Sequence, residues 1–134
     1  MSDAQNASPT FFAPQLMLKN VLAAIEFYQS AFGAAELRRW SNPDGSVHVA
    51  ELTIDGALFH LHEDVPAAGE LSPETLKATT TVIGLFVADP DAAMKRALAA
   101  GGRQISPMQD YDYGYRQGVL ADPAGHRWLI QKRI

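Results

Sequence analysis

A shift of 69 residues lays the first half of this 134-residue chain on the second without a gap. Leu16 falls on Leu85, Leu18 on Val87 and Asn20 on Asp89. Ala23, Ala24 and Ile25 fall on Ala92, Ala93 and Met94; Ala31 falls on Ala100 and Gly33 on Gly102. The same offset carries Gly56 onto Gly125 and Leu61 onto Ile130. Helix cap, apolar helix face, helix stop and hairpin glycine agree under one offset, which reads as a duplication. Each copy is about 60 residues, too small to bury a sheet by itself, so the two halves must share a core.

Within each copy the periodicities give the same element order. Pro14–Leu18 reads as a short strand. Asn20 stands as an N-cap, Val21, Leu22, Ile25, Tyr28 and Phe32 recur at helical spacing, and Gly33 sits at the stop, which predicts a helix over 21–32. Strands are expected at 36–41, 46–54 and 57–63, separated by the turn Asn42-Pro43-Asp44-Gly45 and the hairpin pair Asp55-Gly56. In the second copy a strand is expected at 80–87. A helix capped by Asp89 with Pro90 at its first position follows, and then strands at 103–109, 115–120 and 126–132. The predicted fold class is α+β: two tandem βαβββ modules forming a cupped, half-barrel, eight-stranded mixed sheet with the helices on the outer face. The boundaries read as a disordered tail over 1–11 and a single domain over 12–134. That domain divides into module one at 12–63, a linker at 64–79 and module two at 80–133.

Composition removes several function classes. Fifteen acidic against eleven basic residues give a net charge of -4, which argues against a nucleic-acid partner. The chain has no Cys, so disulfides, thiolate nucleophiles and Cys-ligated metals are excluded. No apolar run approaches the roughly 20 residues of a membrane helix. Met1–Asn6 lacks both a basic start and an apolar stretch, so no export signal and a cytoplasmic location are expected. No Gly-rich phosphate loop and no G-x-S-x-G nucleophile motif is present.

The stretch N-V-L-A-A-I-E-F-Y-Q-S-A-F-G over 20–33 resembles a recurrent segment of glyoxalase and bleomycin-resistance-type proteins. Tyr115-Arg116-Gln117-Gly118 through Asp122-Pro123-Ala124-Gly125-His126-Arg127-Trp128 is similar to the closing signature of their PhnB-like branch. The family is the vicinal oxygen chelate superfamily, and the resemblance covers residues 12–133. It implies paired βαβββ units, a homodimer and, in the enzymes, a divalent metal in the cup. The implied ligand positions are Ala13 and His60 in module one and Val82 and Leu129 in module two. Only His60 carries a lone pair, and one imidazole does not retain a metal. No metal cofactor is therefore expected. An altered site drawing in Gln15 and His62 is the alternative.

Strand alternation places candidate residues on the cup face. In 57–63, Phe59 and Leu61 are expected toward the helix and Leu58, His60 and His62 toward the cup. His60 and His62 are the candidate acid and base near neutral pH, against a plain role as half-buried lining. Arg127 and Gln131 share the cup-facing parity of Leu129, and Arg127 suits an anionic group or a rim carboxylate. Tyr113, in the loop Asp110–Arg116, brings an aromatic and hydroxyl surface suited to planar or sugar-like molecules. His126 is expected to bond backbone in its turn, and Trp128 to pack in the core. The expected ligand-binding set is Gln15, His60, His62, Tyr113, Arg127 and Gln131. The expected function is binding of a small organic molecule in the cup without the metal. The alternative is a lyase, isomerase or dioxygenase that uses a metal or a His acid/base pair.

Overall fold

The computed structural model describes residues 9–134, and the expected tail over 1–11 falls for residues 1–8 outside them. The strands and helices are β1 (Gln15–Leu18), α1 (Val21–Phe32), β2 (Ala35–Ser41), β3 (Val47–Ile54), β4 (Ala57–Glu63), α2 (Pro73–Leu76), β5 (Val82–Phe86), α3 (Pro90–Ala99), β6 (Arg103–Tyr111), β7 (Tyr115–Ala121) and β8 (Arg127–Arg133). The caps act as read from the sequence. Asn20 accepts the Ala23 N–H at 3.0 Å, and Gly33, at φ 66°, ends α1 by donating to the Gln29 carbonyl. Asp89 accepts the Ala92 N–H at the start of α3, with Pro90 in the first turn.

Two four-stranded mixed sheets result, ordered β1-β4-β3-β2 and β5-β8-β7-β6. In each, the first strand runs parallel to the last and the remaining pairs are antiparallel. The parallel registers obey the offset. Gln15 stands opposite His60 and Leu16 opposite Leu61, while Gly84 stands opposite Leu129 and Leu85 opposite Ile130. One place departs from it. The two-residue turn Asp55-Gly56 sets Glu51 opposite His60, but the longer connection over 122–126 sets Val119 opposite Leu129, a slip of one residue in β7.

The eight strands are therefore two sheets side by side and not one continuous ladder: β1 and β5 do not pair. The edge of β1 is occupied instead. The Leu18 and Pro14 carbonyls bond toward β4, which turns the Met17 carbonyl outward, and the His126 ring donates to it at 2.8 Å. Leu71, Pro73 and Leu76 line the gap beside that edge. They belong to 64–79, which is folded locally: Ser72 is buried, and the Asp64 carboxylate accepts the Ser72 N–H and the Thr75 hydroxyl.

The shared core lies on the helix side. α1 buries Val21, Ala24, Ile25, Phe27, Tyr28 and Ala31; α3 buries only Pro90, Met94 and Ala97. Trp128 of β8 joins the modules. Its ring centroid is 4.8 Å from Phe32, 5.4 Å from Tyr28 and 5.9 Å from Phe59. Asp122 accepts the Trp128 indole N–H at 3.0 Å, the Tyr28 hydroxyl, and the Ala124 and His126 backbone N–H groups. Among the described residues this buried carboxylate is balanced by four donors and no cation. Burial, then the Asp122 charge, pushes the Tyr28 hydroxyl well above its ordinary pKa.

Candidate functional site

Alternation does what the sequence reading required. In β4, Phe59 and Leu61 are buried against the helices, and Leu58, His60 and His62 are half-buried on the opposite face. The short hairpin turn puts Glu51 of β3 beside His60, and the His60 ring Nε2 lies 2.8 Å from Glu51 Oε2. An ionised carboxylate can only accept, so Nε2 carries a proton, and in the neutral ring Nδ1 presents the lone pair. Glu51 also accepts from Arg38, whose guanidinium carbon lies 4.6 Å from the Trp40 ring centre. The bonds from Arg38 and then His60 hold the Glu51 carboxyl below its ordinary range.

His62 sits one strand step further. Its Nδ1 donates to the Glu63 carbonyl at 2.6 Å, and its ring meets His48 edge-on at 4.8 Å. His48 in turn bonds the Glu63 carboxylate at 2.7 Å, so Glu63 has a side-chain partner and is not merely a solvated strand end. Gln15 is exposed and stands across β1 from His60.

The corresponding face of module two carries no imidazole among the described residues. Gln131 and Gln117 are buried, and Gln117 Nε2 donates to Gln131 Oε1 at 2.7 Å. The Tyr113 hydroxyl donates to Gln117 Oε1. Tyr113 stacks on Tyr111 at 5.2 Å and meets Tyr115 edge-on, and Tyr115 meets Phe86 at 5.8 Å. Arg127 is exposed at the start of β8, and its side chain forms no hydrogen bond or ion pair among the described residues. The structure thus joins Tyr113 to Gln131 through Gln117, joins Gln15 to His60 by register, and leaves Arg127 apart. His126 does bond backbone, but on β1 and not within its own turn. Trp128 is core, 2% exposed.

Glu51, Gln117 and Gly84 are among the participants not named from the sequence. Glu51 was within reach, because a two-residue turn pairs residues equidistant from it. Gln117 was not, because the slip in β7 depends on the longer connection. Gly84 gave no local signal.

The profile of the Glyoxalase/Bleomycin resistance protein/Dioxygenase superfamily matches residues 12–130. The chain belongs to this superfamily. An uncharacterised protein of Mycobacterium bovis is 40% identical, with 98% of this chain and 88% of that protein covered. One from Mycobacterium tuberculosis is also 40% identical, with 98% and 78% covered. Among solved structures, TioX from Micromonospora sp. ML1 superposes with a TM-score of 0.73 at 24% identity, covering 94% of this chain and all of that one. A gene product of Arabidopsis thaliana superposes at 0.70 with 26% identity, covering 91% and 98%. A glyoxalase/bleomycin resistance protein/dioxygenase family enzyme from Burkholderia phytofirmans PsJN superposes at 0.68 with 19% identity, covering 90% and 95%. The likenesses to TioX and to the Burkholderia enzyme speak to the fold alone.

Superfamily membership raises the question of a divalent metal, and the residues present do not fit one. His60 has Gln15 and Glu51 beside it, but its module-two counterpart Leu129 is flanked by Gly84 and Val119, which offer no side-chain donor. Among the described residues no group of three His, Asp or Glu is placed to hold an ion. A stable site needs three or four donors.

Proposed function

We propose that this protein binds a small organic molecule in its cup without the metal of the superfamily's enzymes. The supporting observation is the contrast between one imidazole at the family's four donor positions and a module-two face built of Gln117, Gln131, Tyr111, Tyr113, Tyr115 and Phe86. Tyrosine and phenylalanine give flat apolar area, and the amides and phenols fix orientation. Gln15, His60 and His62 line the module-one side, and Arg127, with no side-chain partner, would take an anionic substituent. The test is metal analysis after adding back zinc, nickel and ferrous ions, run beside thermal-shift screening of planar organic molecules in chelator. Stabilising ligands that act in chelator, with no stoichiometric metal, are expected. Tight stoichiometric metal lost in His60→Ala would overturn the proposal.

A second reading, proton transfer at His60, is favoured by the Glu51–His60 pair, which orients the ring and frees Nδ1 as a base. Turnover of a carbonyl compound abolished by His60→Gln would favour it over pure binding. A second copy of the chain is proposed to complete the cup. Strands β2 and β6 are open sheet edges, and Trp40, Phe86 and Tyr113 stand exposed. Sedimentation at micromolar concentration would show it as a dimer. A cytoplasmic location goes with this reading; among the described residues no helix is long and apolar enough to cross a membrane.

A further inference from the structure

The hydrogen-bond chain on the module-two face is unfinished. The Tyr113 hydroxyl donates to Gln117, and the Gln117 amide donates to Gln131. The chain ends on Gln131 Nε2, whose N–H groups meet no acceptor among the described residues, although Gln131 is only 5% exposed. No buried side-chain nitrogen or oxygen among the described residues lacks a partner, so this nitrogen keeps access to solvent, and an acceptor brought there would take the place of water.

The space in front of that nitrogen is shaped by Gly84 on the neighbouring strand. A Cβ at position 84 would stand 3.0 Å from Gln131 Nε2. That is the separation of an N–H donor from an oxygen acceptor. Backbone conformation does not call for glycine here, because Gly84 has no left-handed φ. Module one places Gln15 at the equivalent position in the same register. The missing side chain therefore leaves room for one acceptor atom. Gly84 also lines a cleft of about 520 Å³ between the modules, walled by Phe11, Phe12, Leu58, Ile83, Leu85 and Trp128; Gln131 lies outside that lining, so Gly84 is where the cleft and the amide meet.

We infer that the ligand is a neutral, mostly apolar molecule with a carbonyl group, its body in this cleft and its oxygen over Gly84, accepting from Gln131. This rests on the binding reading above and narrows its ligand class to a neutral one, which leaves Arg127 outside the contact. The end of the chain is a donor, so the ligand group must accept. Every member is uncharged, so no carboxylate is called for. A hydroxyl would leave its own proton facing apolar walls, which a carbonyl avoids.

The test compares 1-tetralone with tetralin, which has the same body without the oxygen, by calorimetric and NMR titration of the full chain. Tetralone should bind about tenfold tighter, the scale of one neutral hydrogen bond. Gly84→Ala and Gln131→Met should each bring tetralone down to the affinity of tetralin and leave tetralin unchanged. Circular dichroism checks folding, and Gln131→Met decides if Gly84→Ala does not fold. Equal binding of the two probes overturns the carbonyl assignment and leaves cleft binding standing. Binding of neither overturns both. Preference for 1-naphthoate over tetralone overturns the neutral class.

Discussion

Under the 69-residue offset His60 corresponds to Leu129, His62 to Gln131 and Gln15 to Gly84, and the two sheets hold these residues at the same parallel register. The helix-side residues of the same strands barely differ in character: Leu16 and Leu85, Phe59 and Trp128, Leu61 and Ile130. Because strand side chains alternate, one face can be held by packing while the other diverges. Module one has diverged toward ionisable groups, with Arg38, Glu51, His60 and the Glu63–His48 pair. Module two has diverged toward neutral amides and aromatic rings. The core is also unequally supplied. Module two gives only Met94, Ala97, Leu120, Trp128 and Ile130 to the buried cluster, and the rest come from module one. Module two is thus held in place largely by its neighbour.

The hardest blow to this view would be two separate unfolding transitions. Phe59→Ala and Trp128→Ala alter equivalent positions in one aromatic cluster, and both rings are 3% exposed or less. Each should cost about 3–5 kcal/mol. Far-ultraviolet circular dichroism and calorimetry should still give one transition for each variant. A Trp128→Ala protein in which module one melts unchanged would show that the modules are independent.

A smaller effect is expected at the polar join. Tyr28→Phe removes the hydroxyl donated to Asp122 and leaves that carboxylate three donors. Hydrogen bonds to charged groups contribute about 1.5–3 kcal/mol, so a loss of about 2 kcal/mol is expected in urea unfolding at pH 7. The pH dependence has a definite sign. The folded pKa of Tyr28 lies above the unfolded value near 10.0. Between the two, the native chain holds a proton that the unfolded chain releases, so wild-type stability falls as pH rises above 10.0. Tyr28→Phe should flatten that alkaline decline.

Helix α1 could be read to the residue because its signals are local: a side-chain cap, a 3.6-residue period and a glycine stop. The facing of Phe59, His60, Leu61 and His62 was equally legible, since alternation needs only one anchored residue. What sequence could not supply came from non-local bonding. The connection over 122–126 is set by Asp122, whose partners include Tyr28, 94 residues away, and Trp128. That connection slips β7 by one residue and so places Gln117 beside Gln131. At the split between the two sheets, likewise, the contact on β1 comes from His126, 109 residues away. Gly84 means nothing in a strand until the side chain across from it is known.

A further link between modules is Arg96 of α3, which donates from Nε to the Ser30 carbonyl at 2.7 Å and from Nη2 to the Gln29 carbonyl. The Gln29 carbonyl already accepts from the Gly33 N–H, and both carbonyls lie in the last turn of α1, where a cation is favoured by the helix dipole. By the offset, Arg96 corresponds to Phe27, which module one buries. Arg96→Met keeps much of the aliphatic stem and removes the charge. It should cost about 1 kcal/mol, with the difference from wild type shrinking in 1 M salt.

The smallest change in stability at neutral pH is expected where the modules differ most sharply in chemistry. Glu51→Val puts into module one the residue that stands opposite Leu129 in module two, Val119. Valine suits the strand, so the fold should be kept. Two readouts should move. First, Glu51 ionises below its ordinary range in the folded chain. Its stabilising contribution is present above the ordinary glutamate value and is lost as pH falls toward the lowered one, so the variant should show a flatter acid limb in urea midpoints. Second, with no carboxylate to hold the Nε2 proton, the His60 ring should pass from a single tautomer to a mixture. Long-range proton–nitrogen correlation spectra distinguish the two. If His60 keeps its Nε2–H form in Glu51→Val, its orientation comes from the sheet and not from Glu51. The ionisable face of module one would then be a lining, as neutral in purpose as its counterpart.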